Sequence, residues 1–300
     1  SFRTRRRTLD HRLGGGKSLL AGRGYAKARR AFADPLRLPA PKRHWHQEKT
    51  RRDNLMVTLE DVDIAIVVAL AIEARPIGER LAESVRLRAG DRRVTVGRLG
   101  SRSLAVIEAG VGRAAAEQAT QLVIDGHRPR QAIVAAGLCG AVAPLLPRST
   151  IIVPDTIGRT GSADTRPLPP LPPRPANRDA AVNGLLMTCD TVVSTPAAKQ
   201  TLHAATGAVA VDMESWWIAA IASQANLPCH VVRAVSDTAT ESIPPDIAAL
   251  AALSNPARQA GAALRLAWRR PSVIGELAEL REHAHQAAEA LADYLSQIIT

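Results

Sequence analysis

The stretch Val211–Asp237, VDMESWWIAAIASQANLPCHVVRAVSD, determines the fold of this chain more than any other. Its first residues complete a short apolar strand that runs into a helix, which we predict to begin at Glu214. A second apolar run, His230–Val235, is typical of a buried strand and ends at Ser236 and Asp237. Strand, helix and strand in succession predict an α/β fold, in which polar residues that follow a strand are candidates for chemistry.

The rest of the chain continues this alternation of strands and helices. Val62–Leu70 is a near-continuous apolar run, as expected of a buried strand, and Ala132–Ala136 is a shorter one. Helical spacing is present in Glu73–Glu83, and in Ala114–Asp125 with Gly126 as its stop. We predict an α/β sandwich around one mixed or parallel sheet. The further predicted elements are strands at Arg92–Val96, Leu104–Glu108, Thr150–Pro154, Leu185–Thr188 and Val209–Val211, a helix from Pro196, and helices from Pro245 broken at Pro256 and Pro271.

The strong positive charge of the chain is confined to its first part. Residues 1–52 hold 16 Lys/Arg and 3 Asp/Glu, whereas residues 53–300 hold 23 and 25. This balance disfavours a nucleic-acid-binding surface on the folded body. We expect 1–55 to be a basic leader, disordered or outside the native protein, and 56–300 to be one domain that includes a helical part, 245–300. A targeting segment and a basic arm for nucleic acid or anionic membranes are the alternatives for the leader.

Composition narrows the class of protein further. The chain is 46% hydrophobic but only 3% aromatic, so the core must consist of Ala, Val, Leu and Ile. Cys139, Cys189 and Cys229 form no disulfide or zinc-binding pattern, which indicates a reducing compartment, and we interpret them as small packed hydrophobes. The longest apolar run, 64–72, is too short to span a bilayer. We expect a cytoplasmic protein that uses no metal and no cofactor.

Five polar or glycine-containing segments follow the predicted strands. They are Glu73, Gly110–Arg113 (GVGR), Gly137–Gly140 (GLCG), Asp212–Ser215 (DMES) and Ser236–Asp237. Each is a weak signal alone, because a G-x-G is usually a tight turn and an acidic residue at a helix start usually interacts with the helix dipole. Their order is more specific, since segments beyond the carboxyl ends of parallel strands meet at one edge of a sheet.

These segments and their surroundings resemble the purine/uridine phosphorylase superfamily. VALAIEARPI (68–77), EAGVGRAAAEQAT (108–120), AAGLCGAV (135–142) and the stretch 211–237 match its blocks in the correct order, and the resemblance covers about 63–294. Within the superfamily the chain is similar to the methylthioadenosine/S-adenosylhomocysteine nucleosidases. A nearer resemblance is to the hopanoid-associated branch, whose members are thought to remove adenine from adenosylhopane, and it is carried by 190–215, IPPD (243–246) and 264–291.

This resemblance implies a three-layer α/β/α sandwich around a mixed sheet, as in nucleoside phosphorylases and hydrolases, with three carboxylates at its site. Cleavage of a ribosyl C–N bond passes through an oxocarbenium-like transition state, and adenine leaves poorly unless N7 is protonated. Asp237 would supply that proton, made competent by burial. Glu214 would accept hydrogen bonds from the ribose hydroxyls, and Glu73 would hold or activate the attacking water.

The resemblance also implies substrate-binding residues around these carboxylates. They are Met213 against the ribose, Ser236 beside the acid, the backbone of Gly137, Leu138 and Gly140 near the nucleoside, Val192 at the base, and Arg233 ordering the loops. The structural alternative for Asp237 is an N-cap or a salt bridge, and for Glu214 and Glu73 it is a first-turn charge. Arg113 is interpreted equally as an anion contact or a solvated side chain.

The departures from the superfamily pattern bear on the reaction. Phosphorylases carry Arg and Ser where this chain has Ala135 and Leu138, which favours hydrolysis over phosphorolysis. The small-nucleoside nucleosidases usually stack the base on a Phe, where this chain has Val192. A large apolar 5′ substituent would recover the binding energy that a missing stacking ring forfeits. We therefore expect cleavage of adenosylhopane to ribosylhopane and adenine, in hopanoid biosynthesis.

Three alternatives are a methylthioadenosine/S-adenosylhomocysteine nucleosidase, a phosphorolytic purine nucleoside phosphorylase and a catalytically silent nucleoside-binding protein. A homodimer is also expected. The Ala/Leu-rich helices of 247–299, with Arg265, Arg269 and Arg270, predict either ordinary packing and dimer contacts or a peripheral membrane surface that delivers a lipid-linked nucleoside. Trp216 and Trp217 point about 100° apart on a helix, so at most one is expected to face the site.

Overall fold

The structure, a computed structural model, describes residues 45–47, 61–171, 181–244, 246, 249 and 273–300. These described residues belong to one compact unit, His44–Thr300. The rest of the predicted leader, the predicted helix breaks at Pro256 and Pro271, and the arginines of 265–270 lie outside the described residues.

Strands and helices alternate through the described part of the chain. The helices are α1 (Ala71–Glu79), α2 (Arg113–His127), α3 (Pro196–Thr206), α4 (Ser215–Gln224) and α5 (Val273–Ile299). The strands are β1 (Trp45–Gln47), β2 (Ile64–Val68), β3 (Ala82–Ala89), β4 (Arg92–Leu99), β5 (Arg102–Glu108), β6 (Ala132–Ala141), β7 (Ile151–Ile152), β8 (Thr156–Arg159), β9 (Thr165–Pro167), β10 (Leu185–Thr188), β11 (Ala210–Asp212) and β12 (Cys229–Asp237).

The strands form one mixed sheet with β6 at its branch point. Its main order is β1-β3-β4-β5-β2-β6-β11-β10-β8-β9, and β12 pairs with both β6 and β7. β2 and β12 run parallel to β6, whereas β11 runs antiparallel to it. The predicted mixed-sheet α/β fold is therefore confirmed.

Alternation along β2 separates two layers of core. Ala65 and Val67 pack into a core that includes residues of α2 and α4 on one face of the sheet. Ile64, Ile66 and Val68 pack on the opposite face against residues of α1 and α5. Both faces of this strand are buried, which explains its near-continuous apolar sequence. Helices therefore cover both faces of the sheet, in three layers.

Several predicted boundaries were wrong. The helix predicted for Glu73–Glu83 ends at Glu79, and β3 begins at Ala82, because Val85–Ala89 alternates between inward apolar and outward charged residues. Helix α2 passes through Gly126 and ends at His127, with Arg128 in the left-handed cap conformation. Strands β1, β3, β8 and β9 were not predicted, and β1, which pairs with β3, lies within the segment expected to be a disordered leader.

The predicted loops at Gly137–Gly140 and Ser236–Asp237 are strand residues. β6 continues to Ala141 and β12 continues to Asp237, because the two strands pair as far as Gly140 and Asp237, with an irregularity at Ser236, and Ala141 pairs with β11. In the described part of the chain no helix is both long enough and apolar enough to cross a membrane.

Candidate active site

The site lies at an opening along one edge of β6. On this edge β2 pairs with Ala132–Ala135 and β11 pairs with Gly140 and Ala141, while β12 occupies the opposite edge. Among the described strands, Gly137–Cys139 therefore has no partner on the first edge, and its backbone groups there are available to side chains.

Glu73, in the first turn of α1, fills this opening. Its carboxylate Oε1 accepts a hydrogen bond of 2.8 Å from the Leu138 N–H, and Oε2 accepts one of 2.8 Å from the Leu70 N–H. The side chain is buried, and burial raises the pKa of Glu73, although Arg233 and these backbone donors oppose the rise. Glu73 is thus a first-turn carboxylate, as its structural alternative states, and it also lies beside other predicted site residues.

Gly137 is required where Glu73 meets Arg233. It has a φ of +153°, and a Cβ at this position would lie 2.9 Å from Glu73 Oε1 and also press on Arg233 Nη1. A side chain here would displace both charged groups.

Arg233 is the centre of a buried charged network. Its Nη2 lies 2.6 Å from Asp212 Oδ2 and donates to Ser215 Oγ at 2.9 Å. Asp212 in turn accepts a hydrogen bond of 2.7 Å from the Thr188 hydroxyl. These contacts join β12, β11, β10 and the start of α4.

Glu214 completes this group as the N-cap residue of α4. Its Oε1 accepts a hydrogen bond of 2.9 Å from the Gly112 N–H, and its Oε2 lies 3.9 Å from Arg233 Nη1. Burial is the main cause that raises the pKa of Glu214 to about 7, and Asp212 adds to the rise while Arg233 opposes it. We call Glu73, Asp212, Glu214 and Arg233 the Arg233 cluster.

Asp237 ends β12 and belongs to a separate ion pair. Its Oδ2 lies 2.6 Å from Lys199 Nζ, and its Oδ1 accepts a 2.7 Å hydrogen bond from the Ser236 hydroxyl. A Cβ on Gly140 would lie 3.0 Å from Asp237 Oδ2. Asp237 thus forms the salt bridge that its structural alternative describes, and its carboxylate lies beside Gly140. We call Lys199 and Asp237 the Lys199–Asp237 pair.

The structure brings most of the predicted residues together. Leu138, Glu73, Glu214 and Arg233 are joined by hydrogen bonds and charge contacts, and Ser236, Gly140 and Asp237 adjoin one another on β6 and β12. Met213, between Asp212 and Glu214, and Val192, in the segment from β10 to α3, are half-buried.

Sequence reasoning missed Lys199, although a signal for it exists. It is the only lysine of residues 53–300, where every other basic side chain apart from histidine is arginine. The sequence also did not reveal that Thr188, on β10, would support Asp212, since the two residues meet only through pairing of β10 with β11.

Two other open questions are answered by the geometry. Arg113 pairs with Glu117 at 2.9 Å and its guanidinium lies 4.2 Å from the Trp217 ring centroid, in agreement with a partly solvated side chain. Trp216 and Trp217 are both buried in the core beside α2. The cysteines are buried as predicted, and burial raises the pKa of each thiol, that of Cys189 to about 11.

Comparisons with known proteins agree with this architecture. A methylthioadenosine nucleosidase mutant from Helicobacter pylori, solved with 5′-methylthioadenosine, has a TM-score of 0.59 and 17% identity, covering 79% of this chain and 98% of its own. The S-adenosylhomocysteine nucleosidase of Streptococcus pyogenes has a TM-score of 0.59 and 19% identity, covering 80% and 96%. Futalosine hydrolase of Helicobacter pylori has a TM-score of 0.58 and 16% identity, covering 79% and 96%. The sequence profile of the phosphorylase superfamily matches residues 63–300, and the chain therefore belongs to the phosphorylase superfamily.

Proposed function

We propose that this protein hydrolyses the N-glycosidic bond of an adenine nucleoside. The observation that carries the proposal is the Arg233 cluster, in which three buried carboxylates surround one guanidinium. A ribosyl group that loses its base becomes positively charged, and fixed carboxylates in a buried site stabilise such a charge strongly. The superfamily and the nucleosidase-like fold agree with this chemistry.

In the proposed reaction the proton of Asp237 moves to N7 of adenine while the C1′–N9 bond breaks and its electron pair stays on the base. Water adds its oxygen to C1′ and gives a proton to Glu73, whose raised pKa makes its carboxylate a better proton acceptor. Glu214 accepts hydrogen bonds from the ribose hydroxyls with the lone pairs that Gly112 does not use. Adenine and the free ribosyl product leave, and the proton on Glu73 returns to Asp237 through solvent.

Hydrolysis rather than phosphorolysis is supported by two side chains. Ala135 is fully buried and pairs with β2 and β12 at the position where phosphorylases carry an arginine. Leu138, where they carry a serine, contributes its backbone N–H to Glu73. Water is therefore the proposed nucleophile.

The test is the release of free adenine from purified protein, followed with and without phosphate, on three adenine nucleosides that differ at the 5′ position. We expect adenine release at a rate that does not depend on phosphate. A ribose-1-phosphate product, with a rate that saturates in phosphate, would contradict hydrolysis, and a lack of adenine from every nucleoside would contradict the proposed function itself.

For the substrate we propose an adenine nucleoside with a large apolar 5′ substituent, namely adenosylhopane. The sequence resemblance to the hopanoid-associated branch supports this, as does Val192 at the position of a stacking Phe. A peripheral membrane contact belongs to the same proposal, since a lipid-linked nucleoside resides in a bilayer. We also propose that the protein is a homodimer. A series of 5′-alkylthioadenosines of increasing chain length, assayed below micelle formation, tests it. We expect kcat/KM to rise along the series, and a flat or falling trend would favour the small-nucleoside alternative.

A further inference from the structure

Lys199 occupies an unusual position for a lysine. It lies in the first turns of α3, a helix that begins with Thr195 as N-cap and Pro196 in its first turn. Its side chain is 0% exposed. Lysine is almost never fully buried unless it is paired, because removal of an ammonium group from water is costly.

All the hydrogen-bonding capacity of this ammonium is used. Nζ lies 2.6 Å from Asp237 Oδ2, 2.6 Å from the Thr238 carbonyl oxygen and 3.1 Å from the Glu241 carbonyl oxygen. An ammonium has three N–H donors that point in different directions, whereas the N–H donors of a guanidinium lie in one plane. This arrangement explains why the position holds the only lysine of 53–300 among 22 arginines.

We propose that Lys199 is a positioning residue for Asp237 that assists transfer of the proton to the leaving base. This inference rests on the proposed function, because it assumes that Asp237 is the acid. Lys199 itself contacts Asp237 and not the reacting atoms, so it acts through that carboxylate.

Lys199 acts on Asp237 electrostatically. When Asp237 gives up its proton it becomes a carboxylate in a buried site, where an unpaired negative charge is unfavourable. Lys199 stabilises this charge as it forms, at 2.6 Å and without a need for water to reorganise. Because Lys199 holds Oδ2 and the Ser236 hydroxyl lies 2.7 Å from Oδ1, the carboxyl group is also fixed in orientation.

The same ammonium connects the acid to the segment that follows it. Its bonds to Thr238 and Glu241 hold the chain after β12 against α3, and the Ile243 N–H donates to the Ser194 carbonyl there. Glu241 is further held by Arg148 at 2.6 Å. A structural role for Lys199 is therefore a real alternative, and the experiment must separate the two.

The experiment compares wild type, Lys199→Met and, as a control, a variant of the exposed neighbour, Gln200→Met. The substrates are ribosides that share one 5′ group and differ in the acidity of the leaving group, from adenine through 8-azaadenine to 4-nitrophenol. A nitrophenolate leaves without protonation. We expect Lys199→Met to lower kcat for adenine release by about 10²-fold or more, and to lower it progressively less as the leaving group becomes more acidic. Gln200→Met should match wild type throughout. An equal loss for every leaving group would show a structural role and overturn the proposal.

Lys199→Met leaves Asp237 buried and unpaired, which is destabilising. If this single variant does not fold, a double variant keeps the test decisive. In Lys199→Met/Asp237→Asn neither charge remains. If Lys199 acts through Asp237, this double variant should release adenine as slowly as Asp237→Asn alone. A further multiplicative loss would overturn the proposal. Failure of the proposed function would be seen separately, as a lack of adenine release by wild type.

Discussion

Two charged groups at the site differ in how their charges balance. In the Arg233 cluster the carboxylates of Glu73, Asp212 and Glu214 share one guanidinium, whereas Asp237, at the end of the same strand as Arg233, pairs with one ammonium. The first group is rich in negative charge, and the second holds one acidic and one basic side chain.

This difference corresponds to the two parts of a glycosidic cleavage. The sugar becomes a cation as the bond breaks, so excess carboxylate charge belongs beside it. The base needs a proton, so the acid there needs a partner that accepts its change of charge. Variants that remove one charge at a time should therefore have different effects in the two groups.

Removal of the acid should have the largest effect. We expect Asp237→Asn to lower the rate of adenine release by about 10²–10⁴-fold, because the base then leaves without its proton. The variant also leaves Lys199 buried with only carbonyl partners, so some loss of stability should accompany the loss of rate. Adenine release and thermal unfolding measured on the same preparation separate the two effects. Near-normal turnover would remove Asp237 from the mechanism.

Loss of the guanidinium should mainly affect stability. Arg233→Met leaves the carboxylates of the Arg233 cluster without their counter-charge, and loss of one partner of a buried pair typically costs about 3–5 kcal/mol. The cost should be smaller at pH 5, below the value of about 7 to which the pKa of Glu214 is raised, because a protonated Glu214 needs no counter-charge. Urea unfolding at pH 5 and pH 8 checks this, with the exposed Arg75→Met as control. An equal loss at both pH values would contradict the description of the cluster as rich in negative charge.

The pH dependence of stability should reveal Glu214. Its pKa is raised from the ordinary 4.5 to about 7 in the fold, so folding favours the protonated carboxyl. The stability that this group contributes is fully present below pH 4.5 and is lost as the pH rises through about 7. Glu214→Gln should therefore gain stability relative to wild type between these values, by up to about 3 kcal/mol. Parallel curves of unfolding free energy against pH for the two proteins would contradict this.

Substitution of the glycine beside each group should have the smallest effects on the free energy of unfolding. Gly137→Ala adds a Cβ against Glu73 and Arg233 at a φ of +153°, and strain of this kind costs about 1–3 kcal/mol. Gly140→Ala adds a Cβ 3.0 Å from Asp237 Oδ2 with an ordinary backbone conformation, so its cost should be smaller. Thermal unfolding of both variants checks the order, and a larger loss for Gly140→Ala would reverse the comparison.

The fold was predictable where the pattern is local and apolar. β2 and β12 are continuous apolar runs, and their alternation with helices predicted the α/β sandwich. β3 was missed because its first residues continue the helical spacing of apolar residues in α1. The alternation of apolar and charged residues that is typical of a strand begins only at Val85–Ala89.

Candidate residues for the site could be selected from the sequence, but the contacts between them could not. Glu73, Glu214 and Asp237 were identified from ordered segments and a resemblance, and the structure brings Glu73 and Glu214 to the same arginine. That Asp237 pairs with Lys199 depends on where the fold places α3 relative to the end of β12, which no local pattern encodes. The strand character of Gly137–Gly140 depends likewise on pairing with a distant part of the chain.

The most direct test of the account is the preference of the site for a positively charged sugar. Two adenine nucleoside analogues of equal shape are compared by calorimetry, one with a protonated nitrogen in the sugar ring and one with carbon in its place. We predict that wild type binds the cationic analogue about 10²-fold or more tightly, as expected of a transition-state mimic, and that Glu214→Gln reduces this preference. Equal affinity of wild type for both analogues would contradict the claim that the Arg233 cluster stabilises a ribosyl cation.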